Sequence, residues 1–132
     1  MIVLDTHVWV WWISNQALLP DQAKNIIDGA MNNSGVFISS ISTWEVAMLV
    51  SRGRLQLTMS TSDWIAAAEA VPFIHFVPVS NNIALRSVQL PGALHHDPAD
   101  RMIIATAVSM GAVLVTKDDK IRRYQHVKTV WD

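Results

Sequence analysis

Short runs of apolar, often β-branched residues recur along the chain at 2–5, 36–39, 74–79, 112–116 and 127–131. Between them lie longer stretches whose apolar residues repeat every three or four positions. The runs predict strands, and the repeats predict helices at 6–14, 20–32, 42–52, 61–71, 80–89, 98–110 and 118–123. Strands alternating with helices predict an α/β fold with a central, mainly parallel sheet covered by helices on both faces. Pro20 and Pro98 suit first-turn helical positions, Asn33-Ser34-Gly35 and Gly111 suit helix ends, and Pro72, Pro78 and Pro91-Gly92 mark breaks. No linker, repeat or low-complexity segment interrupts the pattern, so one domain over 1–132 is expected. The first helix stands apart. Trp9, Trp11 and Trp12 with Val8, Val10 and Ile13 make it apolar on every side, and such a helix is buried or covered by a partner.

Four acidic residues stand just past these strand-like runs. Asp5 follows Ile2-Val3-Leu4, Glu45 follows Val36-Phe37-Ile38-Ser39, Asp100 closes Asp97-Pro98-Ala99-Asp100, and Asp118 follows Val113-Leu114-Val115-Thr116. If the runs are parallel neighbours, their carboxyl ends share one sheet edge, where open α/β sheets bind their ligands. Two carboxylates about 4 Å apart repel by roughly 1 kcal/mol in water and about 4 kcal/mol at an effective dielectric near 20. Several together call for a cation, and an oxygen-rich pocket suits Mg²⁺ or Mn²⁺. Each acid also has a purely structural alternative. Asp5 and Asp97 are placed to be N-caps, Ser42-Thr43-Trp44-Glu45 has the pattern of a capping box, and Asp100 falls in a first helical turn. Helix starts gather at the same sheet edge, so capping acids are partly expected there. The pairs Asp97/Asp100 and Asp118/Asp119, each within one turn, weigh toward a metal site.

Composition narrows the chemistry. There is no cysteine among the 132 residues, so thiolate metal sites and disulfides are excluded, in keeping with a reducing cytoplasm. A formal net charge of -1 gives no overall pull toward a polyanion, so nucleic-acid binding must come from local clusters. Arg101, Lys117 and Lys120, with Arg122 and Arg123, form one near the last acidic strand end; they could grip phosphates or equally line a solvated turn. The histidines His7, His75, His95, His96 and His126 lack a tight ligand spacing; the roles of His95 and His96, beside Asp97, stay open. Hydrophobic residues at 51% against 16% charged are a high share, and part of that excess is expected at an interface. The longest apolar stretch, Val8 to Ile13, is far short of the roughly 20 residues of a membrane span, and Asp5 spoils a signal peptide.

In four blocks the chain resembles the PIN-domain ribonucleases, most closely the VapC-type toxins of toxin–antitoxin pairs. The blocks are Met1-Ile2-Val3-Leu4-Asp5-Thr6-His7; Ser40 to Ala47 with Arg52-Gly53-Arg54-Leu55; His95-His96-Asp97-Pro98-Ala99-Asp100-Arg101 through Ala107; and Leu114-Val115-Thr116-Lys117-Asp118. The resemblance implies a PIN-like three-layer α/β/α sandwich and a Mg²⁺- or Mn²⁺-dependent endoribonuclease. It further implies an RNA substrate, a VapB-like antitoxin partner and a homodimer. The family's acidic quartet falls on Asp5, Glu45, Asp100 and Asp118, with Asp97 as an accessory and Asp119 undecided. Two divalent ions roughly 3.5–4 Å apart serve phosphodiester hydrolysis. Asp5 would be the shared ligand, the other acids would complete the pocket partly through water, and Thr6 would lie behind them. One departure is Leu49, where a lysine often stands in the family, so Arg52 and Arg54 would have to supply the missing RNA contact. Three other readings stay open. A phosphatase using Asp5 as nucleophile would want an aspartate where this chain has His7, a non-catalytic PIN-like binding module would be favoured if the quartet failed to converge, and a housekeeping RNA-processing nuclease would lack an antitoxin.

Overall fold

A computed structural model describes residues 1–132. Five strands form one sheet: β1 (Ile2–Leu4), β2 (Val36–Ser39), β3 (Ile74–Val77), β4 (Val113–Val115) and β5 (Thr129–Val130). Their spatial order is β3-β2-β1-β4-β5, and every pairing is parallel. The helices are α1 (Thr6–Ser14), α2 (Asp21–Met31), α3 (Ser40–Ser51), α4 (Thr61–Glu69), α5 (Asn81–Val88), α6 (Pro98–Met110) and α7 (Asp119–Arg122). This is the expected α/β/α sandwich, with a sheet that is parallel throughout.

Alternation along β1 builds two cores. Ile2 and Leu4 join one cluster with Val8 and Trp9 of α1, Ala23 and Ile27 of α2, and Trp64 of α4. Val3, pointing the other way, packs with Ile103 and Ile104 of α6 and Ile121 of α7. Chain order then positions the site. The chain winds outward from β1 through β2 to β3, returns through α5 and α6, and adds β4 on the free side of β1. At that reversal the carboxyl ends of β1 and β4 diverge into helices on opposite faces and leave a crevice.

The predicted elements recur with shifted ends. The last strand shrinks from 127–131 to two residues at the sheet edge, and a 3₁₀ turn at Gln16–Leu18 had no periodic signal. The third helix starts at Ser40 because the Ser39 hydroxyl accepts the Ile41 N–H at 3.2 Å and caps it there. The capping box expected at Ser42 is therefore absent, and Ser42 and Glu45 are freed for other contacts. Gly111 ends α6 at φ 63°, the left-handed conformation that favours glycine.

The first helix finds most of its cover inside the chain. Trp9 is fully buried with its ring centroid 4.6 Å from Trp64 and 5.6 Å from Phe76, and Trp12, also buried, lies 6.2 Å from Phe73. Only Trp11, half-buried, and Ile13, exposed, are left for anything outside. Of the two alternatives, burial within the chain is therefore the one that holds for Trp9 and Trp12. A charge at Trp12 would break the core rather than an interface.

Candidate active site

Asp5 follows β1 directly and caps α1. Its Oδ1 accepts the Thr6 N–H at 2.8 Å, while Oδ2 accepts the Thr116 hydroxyl at 2.7 Å from the end of the neighbouring β4. Only 6% exposed, it is the sole charged residue among the buried ones. Burial pushes its carboxyl above the ordinary range against the pull of those hydrogen bonds and of His7, and the charge of Asp118 pushes the same way as burial.

Glu45, one turn into α3, meets the next residue of the same junction. Thr6 Oγ1 lies 2.5 Å from Glu45 Oε1 and 2.8 Å from Ser42 Oγ. One hydroxyl carries one proton, so the charged carboxylate takes it and Ser42 donates to Thr6. Burial first, and then the charges of Asp5, Asp100 and Asp97, raise the Glu45 carboxyl to about 7 despite the Thr6 hydrogen bond.

Asp100 enters from the first turn of α6. Asp97 is that helix's N-cap and accepts the Asp100 N–H at 2.9 Å, so the structural reading of Asp97 holds. The Asp100 Oδ2 lies 2.7 Å from His95 Nε2. Burial raises the Asp100 carboxyl to about 6; His95 opposes the rise, and Asp5, Asp97 and Asp118 add to it. His95 Nδ1 is buried without a partner, so the ring's one hydrogen bond in the site is the one from Nε2 to Asp100. Asp118 caps α7, accepting the N–H groups of Lys120 and Ile121 at 2.8 and 3.3 Å, and its own N–H donates to Thr116 Oγ1 at 3.0 Å.

The four acids are thus gathered at one sheet edge closely enough to feel one another's charge. No three acidic or histidine side chains form a compact ligand cluster. Capping and convergence turn out not to be alternatives, since Asp5 and Asp118 do both. Sequence reasoning missed two groups, Thr116 and Ser42. Thr116 is fully buried and touches both Asp5 and Asp118; its position in Thr116-Lys117-Asp118, at a strand end, was the available signal.

The basic residues divide. Arg101 is committed to the backbone: its Nε donates to Ser87 O at 2.8 Å, and its Nη1 to Leu94 O and His95 O at 3.3 and 3.2 Å. Arg122 pairs with Asp132 at 2.8 Å. Lys117 and Lys120 have no ion pair and line two separate cavities. One, of about 380 Å³, is bounded by Asp5, His7, Trp11, Lys117 and Asp118. The other, of about 220 Å³, is bounded by Ala93, Leu94, His95, Lys120, Arg123 and Tyr124. Arg52 and Arg54 are exposed and make no side-chain hydrogen bond, and Asp119 sits in the first turn of α7, exposed, 4.0 Å from Arg122.

The sequence model of the PIN domain matches residues 2–127. The chain is 33% identical to Ribonuclease VapC22 of Mycobacterium tuberculosis over 98% of both proteins. Among solved structures it is similar to VapBC2 from Rickettsia felis bound to a promoter DNA fragment, with a TM-score of 0.72, 22% identity and full coverage of both chains. It is also similar to FitAcB from Neisseria gonorrhoeae, with a TM-score of 0.68, 20% identity and coverage of 98% and 96%.

Proposed function

The chain belongs to the PIN-domain family, and from that premise we propose that it is a divalent-metal-dependent endoribonuclease, the toxin of a VapBC-type pair. One observation carries the reading beyond family. The carboxyls of Asp5, Glu45 and Asp100 are each raised first by burial and then by neighbouring acids, Asp118 acting on Asp5, Asp5 and Asp100 on Glu45, and Asp5 and Asp118 on Asp100, at the sheet edge where a ligand belongs. One of these acids is buried and two are half-buried beside it, and a cation would resolve their repulsion.

The donors suit Mg²⁺ or Mn²⁺ in kind, being hard oxygens. Asp5, Glu45, Asp100 and Asp118 would hold such an ion, which readily keeps several of its waters. A divalent ion held there would supply neutralisation of the phosphate's charge and a more acidic water. The chain's own groups do the rest. Thr116 and the Thr6 N–H fix the Asp5 carboxylate, Thr6 with Ser42 fixes Glu45, and His95 fixes Asp100. Lys117 and Lys120 are free to hold phosphates on either side. Arg101, spent on three carbonyls, acts by shaping the segment that carries His95.

Replacing Asp5 by Asn keeps the side-chain shape and removes the charge. Cleavage of RNA in Mg²⁺ or Mn²⁺ should fall by at least about a thousandfold, equivalent to about 4 kcal/mol of barrier, with the melting temperature preserved. Unchanged cleavage would overturn the assignment. The antitoxin partner is supported by the VapBC complex among the structural relatives. A homodimer is supported by Leu85 and Val88, 58% and 77% exposed on one face of α5.

A further inference from the structure

We propose that the cleft on the Asp5 and Asp118 side of the site is a nucleobase subsite that accepts an unpaired base of the RNA; the proposal rests on the nuclease reading and names the form of its substrate. The cleft has about 380 Å³ of space and three kinds of wall. Two acids of the quartet form one. His7 and Trp11, one helical turn apart on α1 with ring centroids 5.8 Å apart, form an aromatic second. The third is Lys117, whose ammonium lies 5.6 Å from the Trp11 ring centroid.

Packing explains only part of the indole at position 11, which leans on the core with one side and leaves the other uncovered. Trp9 and Trp12 already fill the core beneath α1, while Trp11 stays half-buried, touching Trp131 at 6.0 Å on one side and open to the cleft on the other. An aromatic face, a free ammonium and phosphate-handling acids in one cavity complement the parts of a nucleotide. The base takes the ring, the phosphate takes the lysine, and the adjoining phosphodiester lies at the acids.

A basic protein segment is the rival occupant, drawn by the same carboxylates. Lys117 argues against it, because its ammonium already covers the Trp11 ring and repels an incoming cation, whereas a phosphate draws it aside and uncovers the ring. Bases in a duplex are stacked on one another and present no face. The cleft therefore selects single strands, loops or bulges. The cavity with Lys120 and Arg123 on the Asp100 side provides a second cationic hold for the same strand.

The test measures binding of a short unstructured RNA, and of a blunt duplex containing it, by fluorescence anisotropy with Ca²⁺ in place of Mg²⁺ to slow cleavage. Trp11→Leu should weaken single-strand binding about tenfold, Trp11→Phe should restore most of it, and neither should change duplex binding. Equal single-strand binding by Trp11→Leu and parent, or equal loss for both RNAs, overturns the subsite. Should Trp11→Leu melt early, the exposed Lys117→Gln carries the test: its slope of log affinity against log salt should drop by about one, and an unchanged slope overturns the proposal. A parent that cleaves RNA while Trp11→Leu binds normally removes the subsite alone. A parent that neither binds nor cleaves RNA removes the nuclease reading with it.

Discussion

Asp5 and Asp100 reach the same crevice by different supports. Asp5 is held by groups at the ends of two adjacent strands, Thr6 and Thr116, themselves buried and locked into the sheet edge. Asp100 is held by the imidazole of His95, which stands on the irregular segment between α5 and α6. That segment is in turn pinned by Arg101 to Ser87, Leu94 and His95 carbonyls and by the Tyr124 hydroxyl to Pro91 O. The Asp5 flank is therefore as rigid as the core, while the Asp100 flank depends on a loop fastened by a few polar bonds. On the metal-dependent reading proposed above, the fixed flank would set where the cation sits, and the adjustable flank would follow ligand and metal as they arrive.

Breaking the fixed flank should cost most. Thr116→Val is nearly isosteric but strips a hydrogen bond from both Asp5 and Asp118. We expect about a hundredfold loss of cleavage and a stability loss of about 1–3 kcal/mol in urea titrations. An effect no larger than that of a change at His95 would erase the contrast. Next in size is the metal. Mn²⁺ at about 100 times its dissociation constant should add about 2.7 kcal/mol, seen as a rise in melting temperature. The rise should vanish in Asp5→Asn and only shrink in Asp100→Asn.

Smaller, and distributed over both flanks, is the pH effect. Glu45 and Asp100 have folded values of about 7 and about 6 against ordinary values of 4.5 and 3.8, so the folded state keeps protons that the unfolded chain releases. Metal-free stability should thus be greatest below about pH 4 as far as these groups are concerned. It should be lost as pH rises to about 7, by on the order of 2 kcal/mol after solvent screening. Saturating Mn²⁺ binds the ionised carboxylates and should flatten that slope, which melts across pH with and without metal will read. Smallest is His95→Ala, for which we expect up to about tenfold weaker Mn²⁺ binding by calorimetry. His95→Gln, which retains a donor, should recover much of it.

Much of this arrangement was legible in the sequence because its signals are local. Asp5, Asp97 and Asp118 each follow directly on a strand or stand before a helix, and hydrophobic runs with helical spacing place strands and helices within a few residues. What was hidden depends on distant pairing. Ser42-Thr43-Trp44-Glu45 reads as a cap, but Ser39 takes that role and Thr6, 36 residues from Ser42, claims the hydroxyl instead. Arg101 reads as a phosphate ligand, yet carbonyls contributed by α5 and the loop before α6 take its Nε and Nη1. The uniformly apolar α1 reads as an interface, because sequence cannot say that Trp64, Phe73 and Phe76 wait to cover it.

The strand order has a consequence in time. β1 is made first, but its partner β4 lies at Val113–Val115, and the Asp5 to Thr116 bond spans 111 positions. A chain that has not yet formed β4 thus carries Asp5 without its Thr116 partner, since the crevice exists only once β4 slots beside β1. Long-range parallel pairing of this kind is also slow to form.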